Sequence, residues 1–364
     1  MSKPIWAFAT KGTDTNEERR LRTLLSGVKT EFITFDKSKK LWSFKHLIRS
    51  FSQARNRLIV MEGTGIAGGI ACLIARILWG HRYVVSSGDA VGPFVGSHSR
   101  LAGPFFAVYE RILCRMASGY IGWTPYLVGR ALTFGVGRAM TASGWVLGDD
   151  VKIVESRTKI RTNWNVPPEA IVFGIAGAIV WSKRRKYCYG LELVRAIRRV
   201  KRVDVVVVII GSGSGVSHLM AEAGDLLGKK VFLPGSVPLD CVMENLRAMD
   251  VGSLPQSTDG VGAFRYTTKI SEYAQAQLPV VTNQIPAAYD LDHGQIWRLP
   301  GYSPWDITFE EAMVALMENI TQDAIRSARS AYENYSDQAF CKSTQVERTG
   351  NFLRELVAHL GLDH

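Results

Sequence analysis

Short runs of consecutive apolar residues alternate along the chain with stretches whose apolar positions recur at helical spacing. The runs include IWAFAT (5–10), RLIVMEG (57–63), AIVFGIAG (170–177) and DVVVVIIG (204–211), and helical stretches such as 190–201 lie between them. Strands that are apolar at every position are typical of parallel sheets covered on both faces. Because two such series follow one another, we predict an α/β protein with two doubly wound domains.

The join between the two series is expected near 150–169, where a charged stretch with a Pro-Pro pair precedes a new strand. A chain of 364 residues is also longer than one ordinary core. We therefore predict a first Rossmann-like domain over 1–165 and a second over 166–338. A C-terminal helix over 339–364 is expected to pack back toward the first domain.

Composition and charge narrow the class of protein. Apolar content of 46% and charged content of 21% are typical of a globular chain, and the net charge of +11 implies an anionic partner. Nucleic acid, anionic lipid and phosphorylated small molecules all fit that charge. The five cysteines are scattered without CxxC spacing, which favours a reducing compartment.

Membrane-spanning and metal-dependent classes find no support. The N-terminal residues lack the apolar run of a signal peptide, and the longest apolar segment, 65–80, is 16 residues long and contains Arg76. Histidines show no metal-ligand spacing, and no GxSxG motif is present. We expect a cytoplasmic enzyme without a metal or cofactor.

One segment, 37–57, contains seven Lys or Arg residues and no acid. Its apolar residues Leu41, Phe44, Ile48 and Phe51 fall on one side of a helix. Two interpretations remain open: a surface helix packed on the first sheet, or a basic amphipathic helix on an anionic membrane surface. Aromatic residues on the apolar side, rather than interleaved with cations along a groove, argue against nucleic acid.

In the second half, two strand ends are suited to an anion. The GSGSG stretch that begins at Gly211 follows a buried strand, and its glycines would let a ligand approach backbone N–H groups. Four consecutive cations, 183–186, follow the strand that ends near Gly177. They would neutralise a diphosphate, or else form an ordinary solvated charge run.

A third strand end leads into a helix that we expect to begin near Thr267 or Thr268, with Thr268 as N-cap. The N–H groups and dipole of that helix would bind phosphate oxygens. Glu272, one turn further, would accept hydrogen bonds from sugar hydroxyls. The alternative is a surface ion pair between Lys269 and Glu272. Taken together, the three strand ends predict a nucleotide-diphosphate site.

The first half offers a complementary set of residues. They are Gly12 and Thr13 after the first strand, Glu62 and Gly63 after the third, and Asp89 after the fourth. The carboxyl ends of parallel strands meet at one edge, so these residues are expected to face a cleft between the domains. Asp89 is the best carboxylate for an acceptor hydroxyl; its alternative role is that of a turn or N-cap aspartate.

Over about 170–285 the chain resembles the carboxyl-terminal domain of glycosyltransferase family 4. TTKISEYAQAQLPVV (267–281) is similar to that family's KLxEYxAxGxPVV signature, and EGTG and SSGDAVGPF resemble its acceptor domain more loosely. The resemblance implies the GT-B fold, in which two Rossmann-like doubly wound parallel-sheet domains face a cleft.

The resemblance also implies residue roles. Glu272 would hold the donor ribose, Arg185 or Lys186 the donor diphosphate, and Lys269 with the Thr267–Thr268 backbone would lie near the phosphates. The remaining implied donor-site residues are Gly211, Gly213, Val237, Pro238, Asp259 and Gly260.

Four positions depart from the family pattern. The SKRRKYCYG run replaces the usual Lys-Gly after the first strand of the second half, so the cation that would bind phosphate is left open, and Gln277 stands where a glycine is usual. Phe264 stands where the first glutamate of a paired motif is usual, and Gly88 stands where a histidine often precedes Asp89. Asp259 and the glycine loop are then the first candidates to hold the donor sugar.

The function implied is a glycosyltransferase of hexosyltransferase type that uses a UDP- or GDP-sugar, retains anomeric configuration and needs no metal. Asp89, Arg185 and Lys186 are its expected catalytic residues. The acceptor would be a sugar or lipid-linked sugar in polysaccharide or glycolipid synthesis, with the protein at the inner face of the membrane through 37–57.

Two alternative functions are weighed against the transferase. A nucleotide-sugar epimerase on the same fold would need further acid–base residues, and the lack of a histidine near Asp89 counts against it. A non-catalytic protein that binds nucleotide sugar or nucleic acid is the alternative from another class.

Overall fold

The computed structural model describes residues 3–145, 156–334 and 340–362. Packing divides the chain into two units. The first comprises Met1–Gly144, Phe264–Tyr266 and Gln338–His364, and the second Trp145–Ala263 and Thr267–Asp337. The first unit therefore ends earlier than the domain drawn from sequence, and it includes three residues from the middle of the second half.

All strand pairs within the two sheets are parallel. The strands in the described residues are β1 (Ile5–Ala9), β2 (Thr30–Phe32), β3 (Leu58–Glu62), β4 (Arg82–Ser87), β5 (Gly119–Gly122), β6 (Ala139–Thr141), β7 (Ile171–Ala176), β8 (Val205–Ile210), β9 (Val231–Gly235), β10 (Val251–Leu254), β11 (Val280–Asn283) and β12 (Ile296–Leu299).

Helices connect these strands. Those in the described residues are α1 (Asn16–Leu24), α2 (Lys40–Ser52), α3 (Ile66–Trp79), α4 (Val91–His98), α5 (Ala102–Met116), α6 (Pro125–Thr133), α7 (Arg157–Asn163), α8 (Leu191–Arg199), α9 (Val216–Ala223), α10 (Val242–Arg247), α11 (Thr268–Ala276), α12 (Ala287–Asp290), α13 (Ile307–Asn319), α14 (Gln322–Ser330) and α15 (Lys342–His359). Within the described residues, every helix is too short or too polar to span the hydrocarbon core of a bilayer.

The first unit is built on a sheet of order β2-β1-β3-β4-β5-β6. Its central strands are apolar on both faces because helices cover both; all five residues of β3, including Glu62, are buried. On α2, Leu47 and Phe51 are fully buried, and Phe44 and Ile48 pack against the same core. The apolar side of the basic segment 37–57 is thus used largely inside the unit.

The second unit is built on a sheet of order β12-β11-β10-β7-β8-β9. Every residue of β7 and β8 is buried, as their continuous apolar runs predict. The order makes β10 a neighbour of β7, although two strands intervene in sequence. This is the topological switch point of the sheet, where successive connections begin to run in the opposite direction. The two parallel sheets with their flanking helices confirm the predicted α/β class.

Candidate functional site

The switch point of the second unit is the place where ligands bind in open parallel sheets. Helix α11 follows β10 and returns to the start of β11, so its N-terminus lies at the carboxyl edge of the sheet. Lys269, in its first turn, reaches across to the end of β7: a Cβ added at Gly177 would be 2.8 Å from Lys269 Nζ. The structure therefore places this ammonium group at the switch point.

Lys269 is only 8% exposed. Its Nζ lies 4.7 Å from the centre of the Tyr189 ring, and no carboxylate among the described residues is within ion-pair distance of it. The surface ion pair with Glu272 is therefore not formed. Because a buried ammonium is costly without a counter-charge, this position favours an anionic ligand.

The N-cap of α11 is Thr267, so the expectation of Thr268 at that position is wrong by one residue. Thr267 has extended backbone angles, φ −126° and ψ 137°, as N-cap residues do, and its side chain makes no capping hydrogen bond. Thr268 is the first helical residue and is exposed. The first N–H groups of a helix have no intrahelical partner, so this end of α11 suits phosphate oxygens.

Glu272 lies one turn further along α11 and is half-buried. The next residue, Tyr273, is fully buried, and its hydroxyl donates to the Ser253 carbonyl oxygen at 2.8 Å. Because Ser253 belongs to β10, this bond ties α11 to the sheet. The helix is therefore held in place by contacts within the unit.

The glycines of the GSGSG stretch have a packing role in the structure. A Cβ on Gly211 would lie 1.9 Å from the Gly177 carbonyl oxygen, and one on Gly213 would lie 2.3 Å from that of Ile179. Both glycines have φ of +144°. Loop-on-loop packing after β7 and β8 therefore requires glycine here, and a role in lining a nucleotide crevice stays a prediction.

The four cations 183–186 occupy a tight turn closed by an antiparallel bridge between Ser182 and Tyr187. All four side chains are exposed. The Arg185 guanidinium lies 5.3 Å from the centre of the Trp305 ring, and its charge acts on Asp259. Arg185 therefore lies near Trp305 and its charge contributes to lowering the pKa of Asp259, whereas Lys186 occupies the turn at φ +47°.

Asp259 organises the loop that precedes α11. Its Oδ1 accepts hydrogen bonds from Ser257 Oγ at 2.8 Å, from Val261 N at 2.9 Å and from Gly262 N at 3.0 Å. Burial works to raise the pKa of Asp259, but these hydrogen bonds and the charge of Arg185 together lower it below its usual value. The carboxylate therefore stays ionised and shapes the loop.

The other predicted donor residues lie in neighbouring loops. Gly260 is half-buried in the Asp259 loop, and Val237 and Pro238 follow β9, the first half-buried and the second exposed. A short 3₁₀ helix, Leu239–Cys241, begins directly after them. All of these loops leave the carboxyl ends of strands in one sheet.

In the first unit, Gly12 and Thr13 line an open cleft of about 1010 Å³ after β1. Thr13 N donates to the Phe35 carbonyl oxygen at 2.9 Å, which joins this loop to the segment that follows β2. The cleft is rich in cations. Its lining includes Lys11, Lys37, Lys39, Lys40, Asp36 and Trp42.

Glu62 is 1% exposed at the end of β3. Its Oε2 accepts from Ser86 Oγ at 2.7 Å and lies 3.3 Å from Arg20 Nη1. Burial raises the pKa of Glu62 above its usual value, although Arg20 opposes the shift. Gly63 beside it has φ +83°, and a Cβ there would be 2.4 Å from Thr10 Oγ1. No motif identified Arg20, because it lies on α1, far from Glu62 in sequence.

Asp89 follows β4, and its Oδ1 lies 3.1 Å from Arg265 Nε. The residue before it, Gly88, packs against Trp123: a Cβ there would be 2.6 Å from the indole ring. The Arg20 guanidinium covers the same ring at 4.1 Å from its centre. The indole thus occupies the space in which a histidine at position 88 would begin.

Phe264, Arg265 and Tyr266 belong to the first unit. The Phe264 carbonyl oxygen accepts from Thr124 Oγ1 at 2.8 Å, and its ring packs against the first unit's core. Tyr266 is buried edge-on to Trp123, with ring centres 6.0 Å apart. Phe264 therefore packs in a core at the position where the resemblance leads one to expect a glutamate.

In the described part of the chain, no group of three or more His, Cys, Asp or Glu side chains lies close enough to hold a metal ion. Each unit by itself contributes loops, cations and single carboxylates at the carboxyl edge of its own sheet.

Solved structures share this fold over nearly the whole chain. HepE of Anabaena, crystallised with UDP and glucose, is 16% identical with a TM-score of 0.68, covering 97% of this chain and 100% of its own. Sucrose-phosphate synthase of Thermosynechococcus elongatus is 12% identical with a TM-score of 0.70, covering 98% and 100%. At these identities the likeness shows the fold, which is GT-B.

A trehalose-phosphate synthase of Burkholderia xenovorans, crystallised with glucose-6-phosphate, is 15% identical with a TM-score of 0.57, covering 97% and 100%. No curated protein sequence matches the chain significantly. The sequence of the second unit is more informative. Residues 170–319 match the family model described as Glycosyl transferases group 1, so this part of the chain is a glycosyltransferase domain.

Proposed function

We propose that the protein is a retaining glycosyltransferase of family 4 and of hexosyltransferase type, which transfers a sugar from a UDP- or GDP-sugar to an acceptor hydroxyl. The observation that carries the proposal is the buried Lys269 ammonium at the N-terminus of α11, at the switch point of the second sheet. HepE, which shares the fold, binds UDP and glucose. This favours a uridine donor.

The donor phosphates would lie against the first turn of α11, with Lys269 on one side. Glu272, one turn further, would accept hydrogen bonds from the two ribose hydroxyls. Arg185 or Lys186 would meet the terminal phosphate, whose negative charge grows as the bond to the sugar breaks. Because these cations stabilise the leaving diphosphate, they would do the work for which other transferases use a metal.

Asp89 would position the acceptor hydroxyl, with Arg265 orienting its carboxylate. The acceptor is proposed to be a sugar or lipid-linked sugar that carries phosphate, because the cleft beside Gly12 and Thr13 is lined by four lysines. This places the reaction in polysaccharide or glycolipid synthesis. The cations of 37–57 would contact an anionic membrane surface from the cytoplasmic side.

The donor assignment is tested by thermal unfolding with UDP-glucose, GDP-mannose and ADP-glucose. A ligand at 100 times its Kd stabilises the folded state by about 2.7 kcal/mol, which gives a clear shift. We expect one nucleotide sugar to raise the Tm of the wild type, and Glu272→Ala to reduce that shift. Glu311→Ala, which removes an exposed glutamate of the same unit, is the control.

Two results would reject parts of the proposal. If no nucleotide sugar stabilises the wild type, the transferase assignment fails. If Glu272→Ala shifts as much as the Glu311→Ala control, Glu272 does not hold the ribose. Product analysis by NMR of the anomeric proton, with and without EDTA, then tests retention and metal independence.

A further inference from the structure

One surface of the first unit carries apolar side chains that are exposed and do not belong to its hydrophobic core. Leu101, Phe105, Val108 and Ile112 recur every three or four residues along α5 and its N-cap, so they form one stripe. Their exposed fractions lie between 47% and 94%. Scattered exposed apolar residues are ordinary, but a continuous stripe of this length marks an interaction surface.

The neighbouring helix extends this stripe into a surface. Helix α3 packs closely on α5, since a Cβ on Gly69 would lie 1.9 Å from Tyr109 Oη. The connections β3–α3–β4 and β4–α4–α5–β5 run in the same direction through the sheet, so α3 and α5 cover the same face. The α3–α5 face is defined here by Ile70, Ile77, Leu78, Leu101, Phe105, Val108 and Ile112, all exposed.

The unpaired charges around the α3–α5 face are positive. From 63 to 145 the chain contains two acids, Asp89 and Glu110. Each lies within 3.1 Å of an arginine nitrogen, and Glu110 is buried. Helix α2 packs against α3 and adds further cations, because it belongs to the basic segment 37–57, which contains no acid. The exposed arginines of α5 and its N-terminal approach are Arg100, Arg111 and Arg115.

We propose that the α3–α5 face lies on the surface of an anionic lipid bilayer. An apolar centre bordered by cations matches a membrane interface, where apolar side chains enter the headgroup boundary and arginines meet lipid phosphates. A second copy of the chain fits less well, because a two-fold contact would bring like-charged arginine borders together.

The α3–α5 face also provides exposed apolar area, of which the basic segment 37–57 has less. Leu47 and Phe51 of that segment are buried in the core, so α2 has cations but only Leu41 and Trp42 as large exposed apolar residues. The inference rests on the membrane part of the proposed function, and it names the surface that makes the contact.

The test is flotation of the full chain with vesicles of phosphatidylglycerol and phosphatidylcholine in equal parts, compared with phosphatidylcholine alone. The test variant is Phe105→Glu/Ile112→Glu. The control is Val203→Glu/Ile307→Glu, which adds the same two charges at exposed apolar positions of the second unit. We expect binding to anionic vesicles to fall about tenfold or more in the test variant and much less in the control.

Three results would overturn the inference: a wild type that does not bind anionic vesicles, equal binding to both kinds of vesicle, or equal losses in the test and control variants. A concentration-dependent dimer in sedimentation, lost in Phe105→Glu/Ile112→Glu, would assign the face to self-association instead. The Tm shift with UDP-glucose is measured on every variant. If the Tm shift is intact and vesicle binding is lost, the α3–α5 face is changed and the donor site is not. If no nucleotide sugar shifts the Tm of the wild type, the transferase assignment fails, whatever the vesicle binding shows.

Discussion

Replacing Lys269 with methionine separates ligand binding from stability in one variant. Methionine keeps the length and apolar stem of lysine but removes the ammonium group, which lies buried beside Gly177 and Tyr189. If Lys269 serves the fold, this change should lower the free energy of unfolding. If Lys269 serves an anionic ligand, the change should weaken ligand binding and leave the free energy of unfolding unchanged or higher.

The expected sizes follow from the surroundings of Lys269. A hydrogen bond between a charged donor and a phosphate contributes about 1.5–3 kcal/mol, so the Kd for the donor should rise by about 10- to 150-fold. The described residues give Lys269 no ion pair whose loss would leave a buried carboxylate. Removing a buried charge should therefore leave the free energy of unfolding unchanged or raise it by about 1–2 kcal/mol.

Titration calorimetry with the nucleotide sugar and urea unfolding without it measure both quantities. Lys229→Met, an exposed lysine of the same unit, is the matched control and should change neither. The reasoning is refuted if Lys269→Met binds the donor within twofold of the wild type. It is also refuted if the unfolding free energy falls by more than about 2 kcal/mol, since the contact with Tyr189 would then be structural.

Three further predictions concern packing, pH and thiol reactivity. Gly88→His should destabilise the first unit by about 1–3 kcal/mol in urea unfolding, because its Cβ would meet the Trp123 ring at 2.6 Å. The same change should cost less in a Trp123→Ala background, where the ring is gone, and an equal cost in both backgrounds contradicts this packing. The buried Glu192 accepts a hydrogen bond from the Tyr187 hydroxyl through its Oε2 at 2.7 Å, and burial raises its pKa. The folded state therefore binds the proton of Glu192 more tightly than the unfolded state does. The protein should lose stability as the pH rises from the pKa of Glu192 in the unfolded state through its pKa in the folded state. Glu192→Gln should flatten this decline in unfolding free energies measured from pH 4.5 upward, and an equally steep decline in the variant excludes Glu192 as its source. Hydrogen bonds from Ser343 and Thr344 lower the pKa of the Cys341 thiol to about 7, so it should react with a disulfide reagent at pH 7.5 well before the buried cysteines; Cys341→Ser should remove that fast phase, and a fast phase that persists refutes the assignment.

The fold was largely predictable because its central strands are apolar on both faces. Strands such as β7 and β8 occur where their uninterrupted apolar runs predict them. The strands that sequence reasoning missed are the short edge strands β6 and β12. Each borders only one other strand, and β12 carries the polar Arg298 in its four residues. Edge strands need less apolar sequence, so their pattern is weak.

The contents of the site were less predictable, because contacts between distant residues decide them. The helix start, Lys269 and Glu272 came from a local motif, and the structure moves only the N-cap, to Thr267. Arg20 was missed, since its partner Glu62 lies 42 residues away and no spacing connects them. The GSGSG stretch was interpreted as space for a ligand; the structure adds that Gly211 is also required by the packing of a neighbouring loop, and its ligand role stays a prediction.

Two of the departures from the family pattern, Gly88 and Phe264, are explained by packing in the first unit. Trp123 fills the space beside Gly88, and its ring lies against the guanidinium of Arg20 and the edge of Tyr266. Phe264 belongs to the same three-residue segment as Tyr266 and is partly buried against the core of the first unit, so packing occupies both positions. Restoring histidine at position 88 alone should therefore not improve transfer, because the indole still occupies its place. Under the proposed function, acceptor contacts are then expected from the Asp89–Arg265 pair and from the lysines of the Gly12 cleft, while the donor sugar is expected to be held by Asp259 and the glycine loop.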